Sequence, residues 1–438
     1  MRRVLNNERV RKIGRAIRDR ALPEMGSTLT ITCVSVVIAL LLVLAANWGA
    51  GIYLRATPEI LMSLAERTNE NTRSVREKMI PPDKIIEWYD LEAAEDLGPM
   101  WNEYYNAGAV FESYVHYRSK TLIGDYYGMT EAGYRMVRDQ GPWPLDASNF
   151  NIFFFGGSTS FGVGPYWGTV ASYLQQGLNA AGRIAQPVKV YNFGRSGDHS
   201  NQEQILFHRL ISDGHIPDAV VFMDGLNDFC FLDGQPSSWQ MLARHFDSVN
   251  ERSRAQSAGQ DIKTDWGTLG KFVTSMPLTR LIGALGDRSS EEAIPAYTGP
   301  QGAIDEPSPP AEALNKVMDR YLGNITQVEA VAHALNIEAH FVWQPIPTYE
   351  YDPQYHLFYP DRLSCHTGSK FGYPMMAERV ARGLEVESFL WAADMQQDRE
   401  ENLYIDAFHY TAPFSRDIAT LIAAQFLSDD ANERRKEK

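Results

Sequence analysis

An apolar run, Phe153-Phe154-Phe155, stops at Gly156-Gly157 and then presents Ser158-Thr159-Ser160-Phe161-Gly162. A short buried strand ending in a sharp glycine turn exposes the next residue at the carboxyl edge of a sheet, where α/β folds place their ligands. A serine there caps a helix as readily as it serves as a nucleophile, so the run defines a geometry before it defines a chemistry. The flanking pattern extends that geometry. Asn151–Phe155 reads as a buried strand. Thr169–Ala181 reads as a helix with Val170, Tyr173, Leu174 and Leu178 on one face. Val188–Asn192 is expected as a second strand, Gln202–Ser212 as a helix and Ala219–Met223 as a third strand. Strands alternating with helices imply a parallel sheet covered on both faces.

The alternation breaks over 235–312, which lacks strand signals, and Gly283–Pro310 is rich in Gly, Ser, Pro and Glu, as a long loop would be. It resumes with a helix at Ala311–Leu335, a strand at Ala339–Trp343 and a helix near 375–384. The last unit is expected to be a strand at Leu403–Asp406, a turn, and a helix at Ser415–Leu427. Before the repeat, residues 55–120 form an aromatic-rich stem, with loosely helical spacing over Trp101–Tyr117 that suits packing against a larger body. Residues 121–150 read as a Gly- and Pro-rich loop leading in. The division expected is therefore 121–430 as one α/β domain with an insert at 235–312, and 431–438 as a charged tail.

Charge is unevenly spread. Of the net −14, residues 1–25 carry eight basic and three acidic side chains, leaving −19 on the remainder. That acidic remainder offers no basic surplus for phosphates, which excludes general nucleic-acid binding. Residues 26–54 carry no charge, and their centre, Ile31 to Ala46, is strongly apolar, long enough to cross a bilayer. The basic arm at 1–25 should then stay cytoplasmic, giving a single-pass protein whose later residues lie in the periplasm or outside the cell. A cleaved signal peptide, with Ala45-Ala46 or Gly49-Ala50 near the cut, is the other reading of the same residues. Cys33 falls in the span, so Cys230 and Cys365 could form one disulfide. No Cys or His spacing suggests a metal site.

Four segments follow expected strand ends: Gly156-Gly157-Ser158, Asn192-Phe193-Gly194-Arg195-Ser196-Gly197-Asp198, Gly225-Leu226-Asn227-Asp228 and Asp406-Ala407-Phe408-His409. Acyl transfer from serine needs a base and a carboxylate to orient it, which His409 and Asp406 could supply. It also needs donors for the developing oxyanion. The backbone of Gly197, the side-chain amide of Asn227 and the backbone of Ser158 suit that role, although Asn227 could equally be a turn residue. Asp198 and His199 are expected as loop residues, Asp228 as a brace for its loop and Arg195 as a surface ion-pair partner.

Taken together, the four blocks, in order, resemble the SGNH (GDSL-type) hydrolase superfamily over about residues 125–430. Gly133-Tyr134-Arg135 and Trp343-Gln344-Pro345 are similar to segments of its membrane-anchored bacterial members. The resemblance implies a three-layer, flavodoxin-like α/β/α domain with Ser158 as nucleophile, His409 as base and Asp406 as its partner. It likewise implies Ser158, Gly197 and Asn227 as the oxyanion hole. Gly157 stands where many members have Asp. The activity implied is that of an esterase or O-acyltransferase working through an acyl-serine without metal or organic cofactor. Its substrate would be an ester, with envelope or secreted carbohydrate esters suggested by location, and envelope proteins are conceivable partners. The alternative is a non-catalytic carbohydrate-binding or assembly component that retains the fold.

Overall fold

The computed structural model describes residues 34–35, 37–38, 41–49, 80, 82–234, 307–359, 363, 366–384, 386 and 388–428. The chain divides into two compact units, one comprising Met1–Asn71 and Ala255–Ile294, the other Thr72–Arg254 and Pro295–Lys438. In the first, the described residues within 34–49 are helical, and Leu42, Leu44 and Trp48 are exposed. Among the described residues no helix is long and apolar enough to cross a membrane. Most of the span expected at 26–54, the arm at 1–25, and nearly all of the insert and the tail lie outside them.

The second unit is built on a five-stranded parallel sheet. Its strands are β5 (Phe150–Gly156), β6 (Val188–Asn192), β7 (Ala219–Asp224), β8 (Glu338–Trp343) and β9 (Phe389–Trp391), in the spatial order β6-β5-β7-β8-β9. Numbered from β5, this is the doubly wound order 2-1-3-4-5, whose direction reverses between β5 and β7. The pleat sends alternate residues to opposite faces. Ile152 and Phe154 join Val190, Val221 and Met223 beneath helices α4 (Val170–Ala181) and α8 (Ala412–Phe426). Phe153 and Phe155 join Val220, Phe222 and Phe341 beneath α5 (Ser200–Ser212), α6 (Ala311–Ala334) and α7 (Thr367–Ala381). Each fully buried apolar side chain of this size contributes ~1.5–3 kcal/mol, which explains why the central strands are apolar on both faces.

Three expectations are corrected. The fifth strand is Phe389–Trp391, paired with β8, not Leu403–Asp406. Leu403–Asp406 forms no strand: Tyr404 makes only an isolated antiparallel bridge to Tyr410. Its run of apolar residues is explained by burial, because Leu403 and Tyr404 enter one core and Ile405 another. The helix expected near 375–384 begins at Thr367 and continues through Pro374, because Tyr373 and Met376 are drawn into the core; packing overrides the local helix-breaking signal. The helical spacing over 101–117 ends at Asn106. Beyond the helices α1 (Pro82–Tyr89) and α2 (Leu97–Asn106), an antiparallel hairpin forms from β1 (Ala109–Glu112) and β2 (His116–Ser119). A second, shorter hairpin, β3 (Leu122–Ile123) with β4 (Gly128–Met129), lies within the expected lead-in loop. Trp88, Tyr89, Met100 and Trp101 pack with Ile405, so the aromatic segment supports the residue before Asp406.

Candidate active site

Ser158 opens the one-turn helix α3 (Ser158–Phe161) directly after β5, with Gly157 as its N-cap. The turn is held from three sides. Arg135, wholly buried, donates to the carbonyls of Phe161, Gly162 and Gly164. Asn192 Nδ2 donates to Ser160 O at 2.9 Å. Thr159 Oγ1 donates to Gln344 Oε1 at 2.5 Å. Ser158 itself is half-buried.

The two loops expected to supply oxyanion donors converge on that turn. Asn227 Nδ2 donates one hydrogen to Asp198 O at 2.7 Å, which ties the loop after β7 to the loop after β6. An amide nitrogen has two hydrogens, so a second remains for a ligand. A Cβ added to Gly157 would lie 2.2 Å from Asn227 Nδ2, so the amide occupies the space that any larger residue at 157 would fill. Gly197 is partly exposed with φ +81°, a left-handed conformation that favours glycine, and it has no side chain to block an approach to its N–H. Asp228 braces its loop, as expected, accepting from Ser200 Oγ at 2.5 Å and from the Gly225 N–H at 3.3 Å.

Asp406 and His409 meet directly. His409 Nδ1 lies 2.7 and 2.8 Å from the two carboxylate oxygens of Asp406. Asp406 Oδ1 also accepts the backbone N–H groups of Phe408 at 3.0 Å and His409 at 2.9 Å. With Nδ1 engaged by the carboxylate, the other ring nitrogen is the basic one. His409 Nε2 has no hydrogen-bond partner among the described residues. Ser158 and His409 are not hydrogen-bonded to each other, but their neighbours in sequence are linked. Tyr410 donates to Gln344 Oε1 at 3.0 Å, the oxygen that also accepts from Thr159.

Arg135 and Gln344 fall in the two segments already noted as similar to those of family members, but no role for them, or for Thr159 and Tyr410, could be read from a single sequence, because their partners lie elsewhere in the chain. Burial raises the Tyr410 phenol well above its ordinary value, so it remains a donor. His366 packs against Phe408, with 4.4 Å between ring centroids. Burial lowers its pKa to about 4, so it stands neutral beside the Asp406–His409 turn.

Arg195 is not at the surface. It is buried and pairs with Glu112 at 2.8 Å, because hairpin β1–β2 covers it. Beneath the oxyanion loops lies a group of buried acids. Burial raises Asp198 to about 8 against the attraction of Arg195. Burial, and then the Asp224 carboxylate, raises Glu203 well above the usual range; burial, and then the Asp228 carboxylate, does the same to Asp224. His199 caps α5 by accepting from Asn201 N at 3.3 Å. Cys230 is disulfide-bonded, and Cys365 lies outside the described residues. Among the described residues no group of three or more His, Cys, Asp or Glu is arranged to hold a metal ion.

The model of the family described as GDSL-like Lipase/Acylhydrolase matches residues 152–422. That stretch contains all four loop segments. No curated protein sequence matches the chain significantly. Solved structures that it resembles include a protein assigned to the G-D-S-L lipolytic family from Desulfitobacterium hafniense DCB-2. Its identity is 10%, with 63% of this chain and 99% of that chain covered and a TM-score of 0.31. A protein assigned as an arylesterase from Agrobacterium tumefaciens str. C58 has 13% identity, 63% and 96% coverage and a TM-score of 0.32. An acetyl xylan esterase has 15% identity, 62% and 97% coverage and a TM-score of 0.24. The weight rests on the family match.

Proposed function

We propose that this chain, which belongs to the GDSL-like lipase/acylhydrolase family, is a serine esterase or O-acyltransferase with Ser158 as nucleophile. The observation that carries the reading is the Asp406–His409 pair, joined to the Ser158 turn through Gln344 while Asn227 lies against Gly157.

In the reaction, His409 Nε2 takes the proton from Ser158 Oγ as that oxygen attacks the ester carbonyl carbon. The carbonyl oxygen gains negative charge and is met by the N–H groups of Ser158 and Gly197 and the free amide hydrogen of Asn227. One well-placed donor of this kind is worth ~3–4 kcal/mol. The tetrahedral intermediate collapses, the C–O bond to the leaving alcohol breaks, and His409 returns the proton to that alcohol. Water, or an acceptor alcohol, then loses a proton to His409 and attacks the acyl-serine. The ester of Ser158 breaks and its Oγ recovers the proton. Hydrolysis and transfer differ only in the second nucleophile.

We place this domain outside the cytoplasm, anchored by residues 26–54. The basic arm at 1–25, the uncharged apolar span and the disulfide at Cys230 support that placement. Such a location suits carbohydrate esters of the envelope or of exported polysaccharide as substrates. The test is a panel of p-nitrophenyl esters of increasing acyl length, run with and without sugar acceptors. Turnover of short acyl groups is expected. Acylated sugar would identify transfer, and no turnover of any ester would contradict the reading. For the anchor, carbonate washing of membranes should leave the full chain in the membrane fraction.

A further inference from the structure

Glu112 ends strand β1 in the first hairpin, outside the stretch that the family model matches. Three arginines converge on its carboxylate. Arg195 Nη1 lies 2.8 Å from Oε2, Arg118 Nε lies 3.6 Å from the same oxygen, and Arg209 binds Oε1. Burial opposes the charge of Glu112, but the attraction of Arg195 and then of Arg209 holds its carboxyl below the ordinary range. Arg195 is the buried member of the three, whereas Arg118 and Arg209 keep part of their side chains in water.

Arg195 also opens the turn that carries Gly197. The Asp198 N–H donates to the Arg195 carbonyl at 3.3 Å, and of the two residues between them only Gly197 has a positive φ, +81°. That combination is a type II turn. In a type I turn over the same residues the Ser196–Gly197 peptide plane would be rotated by about 150°, and the Gly197 N–H would point the other way. The aim of this donor is set by how the ends of the turn are held. At one end Asp198 O accepts from Asn227 Nδ2 at 2.7 Å, and Asp198 Oδ1 accepts from Gln202 Nε2 at 3.0 Å. At the other the Arg195 N–H donates at 2.9 Å to the carbonyl of Gly156, two residues before Ser158, and the Arg195 side chain is paired with Glu112.

We infer that Glu112 is a positioning residue for the oxyanion hole: by seating Arg195 it fixes the turn that aims the Gly197 N–H. The inference rests on the catalytic reading of Ser158 and of its oxyanion donors. Without the carboxylate, three cations face one another and Arg195 is left buried with no counter-charge. The guanidinium then moves towards water, residue 195 shifts away from Gly156, and the Ser196–Gly197 peptide is free to turn over. The hairpin contributes to catalysis in this way without touching the ester. Small misplacements of a catalytic group cost up to about a hundredfold in rate.

The experiment uses the full-length protein in detergent and reads kcat and KM for p-nitrophenyl acetate and the Ki of phenyl trifluoromethyl ketone. Ser158 Oγ adds to the carbonyl carbon of that ketone, its proton passes to His409, and the carbonyl oxygen becomes an oxyanion facing the same donors. Glu112→Gln should lower kcat about tenfold, leave KM within about twofold and raise Ki by about the factor that kcat/KM loses. Glu112→Gln with Arg195→Met removes both charges and leaves no buried cation unpaired, so its melting temperature should return towards the wild-type value while kcat stays low. Gly197→Ala disfavours the left-handed turn and should lose the same donor, so adding Glu112→Gln to it should cost less than about twofold more. Wild-type kcat and Ki in the doubly neutral variant would overturn the inference, as would fully multiplicative losses from Glu112→Gln and Gly197→Ala. No turnover and no fluorophosphonate adduct on Ser158 in the wild-type protein would instead overturn the catalytic reading and this inference with it.

Discussion

The hydroxyls of Thr159 and Tyr410 donate to the same atom, Gln344 Oε1, although 251 positions separate them in the sequence. Each comes directly after a residue proposed as catalytic, Thr159 after Ser158 and Tyr410 after His409. The single hydroxyl hydrogen of Tyr410 is shared between Gln344 Oε1 at 3.0 Å and the Pro345 carbonyl at 2.8 Å, so the end of β8 holds both halves of the site. A carbonyl oxygen has two lone pairs, so one amide can accept both bonds.

Because these groups form one buried network, removing two of them should cost less than the separate losses suggest. Thr159→Val and Tyr410→Phe should each destabilise the protein by ~1–3 kcal/mol. A double-mutant cycle on urea unfolding is expected to return a coupling energy of ~0.5 kcal/mol or more. Simple additivity would mean that Gln344 does not connect the two halves.

Gly157→Ala should be costly for catalysis and mild for folding. The backbone at Gly157 is extended, with φ −76° and ψ −154°, so alanine meets no backbone strain. Its Cβ would instead displace the Asn227 amide. The expected loss is about a hundredfold in kcat. Adding Asn227→Ala to Gly157→Ala should then change kcat little, since the same donor is already lost. Full activity in Gly157→Ala would remove Asn227 from the oxyanion hole.

Asp198 gives the stability of the protein a pH dependence. Its folded pKa is raised to about 8, and an unfolded aspartate titrates near ~3.9. Below about pH 4 both states hold the proton and the residue contributes no slope. As pH rises towards 8 the folded state keeps a proton that the unfolded chain has lost, so stability falls. Asp198→Asn removes that proton exchange. Its melting temperature relative to wild type should therefore climb between pH 4 and 8, by about 2–4 °C for each kcal/mol gained. A constant difference across that range would show that Asp198 ionises normally in the folded protein.

The parts of the site that could be read from sequence were those with local signals. Phe153–Ser158 shows an apolar run and a glycine turn, and Asp406–His409 shows a carboxylate three residues from a histidine. The sheet was legible for a similar reason, since β5, β6, β7 and β8 are apolar runs between helical stretches. Its edge was not legible. β9 is three residues long and only half-buried, too short for a period, whereas Leu403–Ile405 is apolar because three side chains enter two different cores. Gln344 and Arg135 stood out only as members of the Trp343-Gln344-Pro345 and Gly133-Tyr134-Arg135 segments; their part in the site was not legible because their partners are distant in sequence. Arg195 misled for the same reason: its burial depends on Glu112 in a hairpin that precedes the sheet.

The most direct measurement is intact-protein and peptide mass spectrometry after fluorophosphonate treatment, on wild type, Ser158→Ala and His409→Ala. The account predicts one adduct in the wild-type protein, located on Ser158. It predicts no adduct in Ser158→Ala, and labelling slowed by at least about a hundredfold in His409→Ala. Stoichiometric labelling of another residue, or a His409→Ala protein that labels at the wild-type rate, would contradict it.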